Sequence, residues 1–237
     1  MTGAVRPRER EMKMPRILAR GVLVVLVLIL LGVLAAHFRT SAAVPIGDPD
    51  VDDALASTSS QKTVVLAGGC FWGMQLVFEH VKGVSSVTAG YSGGSASTAQ
   101  YETVSSGETG HAESVKIIYD PSQITFGRLL KVFFSVAHDP TELNYQGPDE
   151  GTQYRSAIFY TEDGQRRIAT AYIDQLDAAK VFSHKIVTQL TPLNAFYPAE
   201  GYHQDYAVHN PNNPYIVFND LPKLDHLRKD LPDLYVK

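Results

Sequence analysis

The chain is 237 residues long, 44% hydrophobic and 19% charged, with a net charge of −4 and a single cysteine. That is an ordinary globular composition, and the length suits one large domain or two small ones. One cysteine excludes an internal disulfide framework, and an acidic balance without basic clusters argues against a nucleic-acid partner.

The chain opens with a basic lead, Arg6, Arg8, Arg10, Lys13, Arg16 and Arg20 against Glu9 and Glu11. GVLVVLVLILLGVLAA, Gly21 to Ala36, then runs without a polar side chain. A basic flank before an apolar run is an export signal or a membrane anchor, since a core helix would show a polar face. Ser41 and Ala43 are small residues suited to −3 and −1 cleavage positions; left uncleaved, residues 17–38 would hold the chain in a membrane. In both cases the basic flank stays in the cytoplasm and the remainder is expected outside it. Residues 44–61, with Pro45, Gly47, Pro49, four Asp and STSSQ, read as a polar linker with nothing to pack. Residues 1–43 hold seven basic and two acidic side chains, leaving residues 44–237 with 14 basic and 23 acidic, a net −9. The remaining domain is expected over residues 62–237.

Within it, TVVLAG (63–68) reads as a strand ending in a glycine turn. CFWGMQLVFEHVKG (70–83) has Phe71, Met74, Val77, Phe78 and Val81 at helical spacing, with Gly83 as a stop. VSSVTAGY (84–91) alternates as a strand, then a long loop leads to a second alternating strand, ESVKIIYD (113–120). ITFGRLLKVFFSVAH (124–138) reads as an amphipathic helix with Phe126, Leu129, Leu130 and Phe133 on one side. A second long loop precedes the strand YRSAIFY (154–160), a helix opened by Thr161, and a last strand in KIVTQL (185–190). Aromatics and prolines follow, with little regular structure. The order β-α-β-β-α-β-α-β predicts an α+β fold: a mixed β-sheet with packed helices, a ferredoxin-like two-layer sandwich with long functional loops and an irregular C-terminal tail.

The strand–Gly-Gly–Cys–helix layout puts Cys70 at a helix first turn, where free N–H groups and the positive dipole end favour a thiolate and lower its pKa. The two glycines allow close backbone approach by a substrate. The residues alone leave open a catalytic nucleophile, a small buried hydrophobe and a thiol in a dinucleotide or phosphate loop. His111, His138, His203 and His209 fit no HExxH or CxxC spacing, and GxGxxG and P-loop patterns are absent, so neither a metal nor a bound cofactor is expected.

Six blocks stand in order along the domain: AGGCFWG (67–73), GYSGG (90–94), TGHAESVKIIYDP (109–121), HDPTELN (138–144), GTQYRSAIFY (151–160) and FYPAEGYHQDY (196–206). In sequence and spacing they resemble the A-type peptide methionine sulfoxide reductases over nearly all of residues 63–218. The resemblance implies reduction of methionine-(S)-sulfoxide, free or in oxidised peptides and proteins, through a sulfenic acid on Cys70, as protein repair. It implies Glu113 as the acid that protonates the sulfoxide oxygen, with a pKa raised by burial among aromatics. Tyr101 and Tyr154 match the phenols that hydrogen-bond that oxygen. Phe71 and Trp72 match the pocket for the S-methyl group, and Asp149 and Tyr197 match pocket-lining residues.

The chain departs from many relatives in lacking further cysteines, both in NPYIVFNDLPKLDHLRKDLPDLYVK and in VSSGETG, where relatives often place one in VCSG. Once Cys70 is the nucleophile, an external thiol must resolve its sulfenic acid: a thioredoxin-like or glutaredoxin-like protein, or a small thiol. Two rival readings are a cysteine hydrolase or acyl-transferase with Cys70 as nucleophile and His111 as base, and a membrane-tethered binding module with an inert Cys70.

Overall fold

Strands rich in β-branched residues alternate with apolar helices along the chain, and the computed structural model describes residues 43–237. The expected export or anchor segment, 1–43, lies outside the described residues except for Ala43. Among the described residues no helix is long and apolar enough to cross a membrane.

In chain order the elements are β1 (Lys62–Ala67), α1 (Phe71–Glu79), β2 (Val84–Ser92), α2 (Tyr101–Val104), β3 (Ala112–Tyr119) and α3 (Phe126–Val132), the last prolonged by a π-turn over Phe133–Ala137. A two-stranded ribbon, β4 (Tyr145–Gln146) and β5 (Asp149–Glu150), precedes β6 (Ala157–Tyr160), α4 (Asp163–Ala178), β7 (Gln189–Pro192) and β8 (Phe196–Pro198). Then come α5 (Tyr206–His209), a π-turn over Ile216–Asp220 and α6 (Leu221–Asp230).

The main sheet has the order β7-β6-β1-β3-β2-β8. Its four central strands run β6-β1-β3-β2, the antiparallel arrangement of a split βαβ unit, with β7 added parallel to β6 and β8 antiparallel to β2. This is the mixed, helix-packed α+β sheet expected from the element order. Core residues of α1 (Phe71, Met74, Val77, Phe78) and α3 (Leu129, Leu130) are fully or nearly fully buried. At about 1.5–3 kcal/mol for each such side chain, this layer carries much of the stability.

Two expectations are corrected. Residues 44–61 are not an unpacked linker: Ile46 is buried, Val44 N–H donates to Ser135 O at 3.0 Å, and Tyr172 Oη donates to Gly47 O at 2.6 Å. Asp52 accepts hydrogen bonds from Thr125 Oγ1 and from Gly127 N–H, capping the free amides of α3. The aspartates that made the segment look solvated are its anchors, and by covering α3 it leaves that helix buried well beyond one face. Nor is the tail irregular, because Leu221, Leu224, Leu227 and Leu231 recur at helical spacing, with Pro222 tolerated in the first turn. Leu227 is wholly buried there.

Candidate active site

The site forms where β1 leaves the sheet. β1 pairs with β3 as far as Leu66↔Val115, and after Ala67, still paired with β6, Gly68 and Gly69 carry the chain to Cys70 and α1. Both glycines are required by internal packing. A Cβ on Gly68 would meet the His138 ring at 2.8 Å, while Gly69 has φ +88° and its Cβ would meet the Gln146 side chain.

Cys70 is the N-cap of α1 and is 8% exposed. One free amide of that first turn is directed at a buried carboxyl. Phe71 N–H donates to Glu113 Oε2 at 3.0 Å, and the Trp72 amide acts on the Cys70 thiol in the direction that favours its ionised form. Glu113 is 2% exposed, and burial pushes its carboxyl up to about 8 against the lowering effect of the Phe71 amide, with Asp149 adding to the rise. The thiol does not follow expectation. Burial first, then the charges of Glu113, Asp220 and Asp149, hold Cys70 well above the usual thiol range, and the Trp72 amide only partly offsets them. Helix-end stabilisation is real but is outweighed by desolvation and three carboxylates.

Tyr101 opens α2, and Tyr154 ends a 3-10 turn over Thr152–Tyr154. Both are partly buried, with phenol pKa values raised by burial first and then by Glu113; Cys70 contributes to both. Phe71 is 1% exposed and packs on Tyr91 and His203, whereas Trp72 is partly exposed and stacks on Tyr206 at 3.9 Å. Asp149, on β5, accepts a hydrogen bond from Tyr215 Oη, and its carboxyl is raised by burial. Cys70, Phe71, Glu113, Tyr101, Tyr154, Trp72 and Asp149 thus converge. Tyr197 stands further off, with its ring edge-on to His111 at 5.6 Å, at the β2–β8 rim.

Several residues support this arrangement, and Glu200, Tyr91 and Tyr215 among them escaped the sequence reading. Glu200 accepts from Tyr91 Oη at 2.9 Å and from Tyr101 N–H at 2.9 Å, fixing the start of α2. His203 Nδ1 accepts from Trp72 Nε1–H at 3.2 Å, leaving the proton on a buried Nε2 that has no hydrogen-bond partner. Glu200, His203 and Tyr91 lie inside the quoted blocks, so the signal for them was present; Tyr215 lies beyond the last block and had none. His111 does not suit a catalytic base. Its Nδ1 accepts from Gly94 N–H at 3.2 Å, so Nε2 carries the proton and donates to Ser95 O at 2.9 Å. Among the described residues no three His, Cys, Asp or Glu side chains converge as a metal ligand set.

The family model described as peptide methionine sulfoxide reductase matches residues 62–233. The peptide methionine sulfoxide reductase MsrA 2 of Mesorhizobium japonicum is 60% identical over 174 residues, 73% of this chain and 89% of that protein. The protein of the same description from Synechocystis sp. is 53% identical, covering 79% of this chain and 89% of its own. Among solved structures, reduced Mxr1 from Saccharomyces cerevisiae superposes with a TM-score of 0.58 at 32% identity, over 69% of this chain and 92% of that one. Methionine sulfoxide reductase A of Corynebacterium diphtheriae gives 0.56 at 31%, over 74% and 91%.

Proposed function

The chain belongs to the peptide methionine sulfoxide reductase family and is an oxidoreductase of that kind, and from that premise we propose how its residues reduce methionine-(S)-sulfoxide. The observation that carries the reading is the Phe71 N–H bond to Glu113, a buried acid tethered to the residue next to the only cysteine.

Glu113, with its pKa raised to about 8, is predominantly protonated at neutral pH and holds a proton for the sulfoxide oxygen. Tyr101 and Tyr154 donate hydrogen bonds to that oxygen, while Phe71 and Trp72 receive the S-methyl group. As Cys70 sulfur attacks, its proton passes to the Glu113 carboxylate, so two neutral groups react without a charge having been stored in the resting site. The sulfoxide sulfur gains two electrons and becomes a thioether. Cys70 loses two and retains the oxygen as a sulfenic acid. An external thiol then forms a mixed disulfide with Cys70, releasing water, and a second thiol returns Cys70 to its reduced form. The hydrolase reading is disfavoured because both His111 nitrogens are committed to backbone partners. We further propose that residues 1–43 export this domain, so that the thiol donor acts outside the cytoplasm.

The test is one equivalent of a methionine-(S)-sulfoxide peptide with the full-length protein and no reductant, followed by mass. One methionine released per chain, with Cys70 captured as a dimedone adduct, is the expected result. No methionine from either epimer would refute the reading.

A further inference from the structure

Beneath the first turn of α1 lies an ionic pair that the reaction just described does not use. Asp220, where the Ile216–Asp220 π-turn passes into α6, is wholly buried, and Lys223 Nζ approaches its Oδ1 at 3.4 Å with 12% of its own side chain exposed. The other oxygen, Oδ2, is buried with no hydrogen-bond partner. An ion pair withdrawn from water with a lone pair unsatisfied is a poor stabilising device, since apolar packing of the same volume does as well or better.

The location is built for it. A Cβ on Gly73 would overlap Asp220 Oδ1 outright and come within 3.0 Å of Lys223 Nζ. Gly73 is in the first turn of α1, three residues after Cys70, and its bare Cα admits the carboxylate to the underside of the nucleophile's helix. We propose that Asp220 and Lys223 are positioning residues of opposite sign, which together set the ionisation of Cys70 from beneath its helix. Asp220 opposes the thiolate, and Lys223 offsets both Asp220 and Asp149. The other groups facing Cys70 are Glu113 from β3, Asp149 from β5, the phenols of Tyr101, Tyr154 and Tyr215, and the Trp72 amide; Lys223 is also felt by His138 and Glu142. The pair accounts for a thiol held protonated until substrate arrives, yet not burdened with the uncompensated charges of Asp220 and Asp149.

The proposal rests on Cys70 being the nucleophile, but its test needs no turnover. The full-length protein is alkylated with iodoacetamide across a pH series and Cys70 modification is read by mass, with thermal unfolding run alongside. Asp220→Asn removes an opposing charge and frees Lys223, so the profile should move to lower pH, with alkylation about tenfold faster at a fixed pH below the midpoint. Lys223→Met should move it the opposite way, and Lys223→Arg should restore it. A purely structural pair would instead loosen the site and speed alkylation in both variants; that outcome, or unmoved profiles, overturns the proposal. If Asp220→Asn does not fold, slowing in Lys223→Met with recovery in Lys223→Arg decides it. Absence of methionine sulfoxide turnover in the unsubstituted protein would refute the reductase reading and leave this comparison intact.

Discussion

In the proposed mechanism Glu113 is the proton donor, and its environment makes predictions for activity and for stability. Glu113→Gln keeps the side chain's size and its bond from Phe71 N–H but removes the proton, so turnover should fall by about 10²–10⁴-fold, while Cys70 alkylation is not slowed and, above the pH at which Glu113 ionises, speeds up because a charge opposing the thiolate is gone. Unchanged turnover would require a different acid. The wild-type enzyme should lose activity as pH rises through about 8, because only the protonated carboxyl serves, and Glu113→Gln should lack that limb. Stability follows the same sign. A carboxyl raised from 4.5 to about 8 on folding gives a contribution fully present below 4.5 and lost as pH climbs to about 8. Glu113→Gln should therefore gain stability over wild type at pH 9 and show little of that gain at pH 4, by urea denaturation. Glu79, raised to about 8 by burial and by sharing a hydrogen bond with Asp205, acts in the same window, so some of the slope will persist in that variant.

At the scale of elements, what the sequence displayed was periodicity and local chemistry. The helical spacing of Phe71, Met74, Val77 and Phe78 found α1, and the alternation in 84–91 and 113–120 found β2 and β3, because those segments follow one repeat throughout. KIVTQL was harder: pairing with β6 begins only at Gln189, where Ser156 O receives its N–H. A strand added at a sheet edge takes its start from its neighbour, which local pattern does not contain. Asp48 and Asp52 misled for a related reason, since an aspartate that pairs with a distant lysine or caps a distant helix looks in sequence like one in water. Thr125 is the N-cap of α3, accepting from Arg128 N–H at 3.3 Å, and Asp52 reinforces it from 73 residues away. Asp52→Ala and Thr125→Ala should each cost about 1 kcal/mol in chemical denaturation, and the double variant should cost less than their sum. Full additivity would show that the segment does not support the cap.

For the molecule as a whole, the residues of the family blocks were legible as a group that the fold brings together, while the electrostatics of that group were not. The helix-end argument anticipated a thiolate at Cys70, and the fold instead gathers Glu113, Asp149 and Asp220 around it from three distant parts of the chain. No local reading weighs such a sum. The C-terminal helix is similarly a tertiary fact: Leu227 is wholly buried, Lys82 N–H donates to Leu234 O at 2.7 Å, and Val236 N–H donates to His80 O at 2.9 Å. Leu227→Ala should destabilise by about 2–5 kcal/mol in urea titration; a loss under 1 kcal/mol would mean that the tail is not integral to the core. The entry segment has a mechanical consequence. Between Val44 and β1 the chain is fastened in turn to Ser135, Tyr172, Lys131, Thr125 and Asp120. Tension applied ahead of residue 44 would load these attachments in series, so α3 and α4 would bear the force before β1, and Cys70 would remain seated on its acid while the protein was pulled.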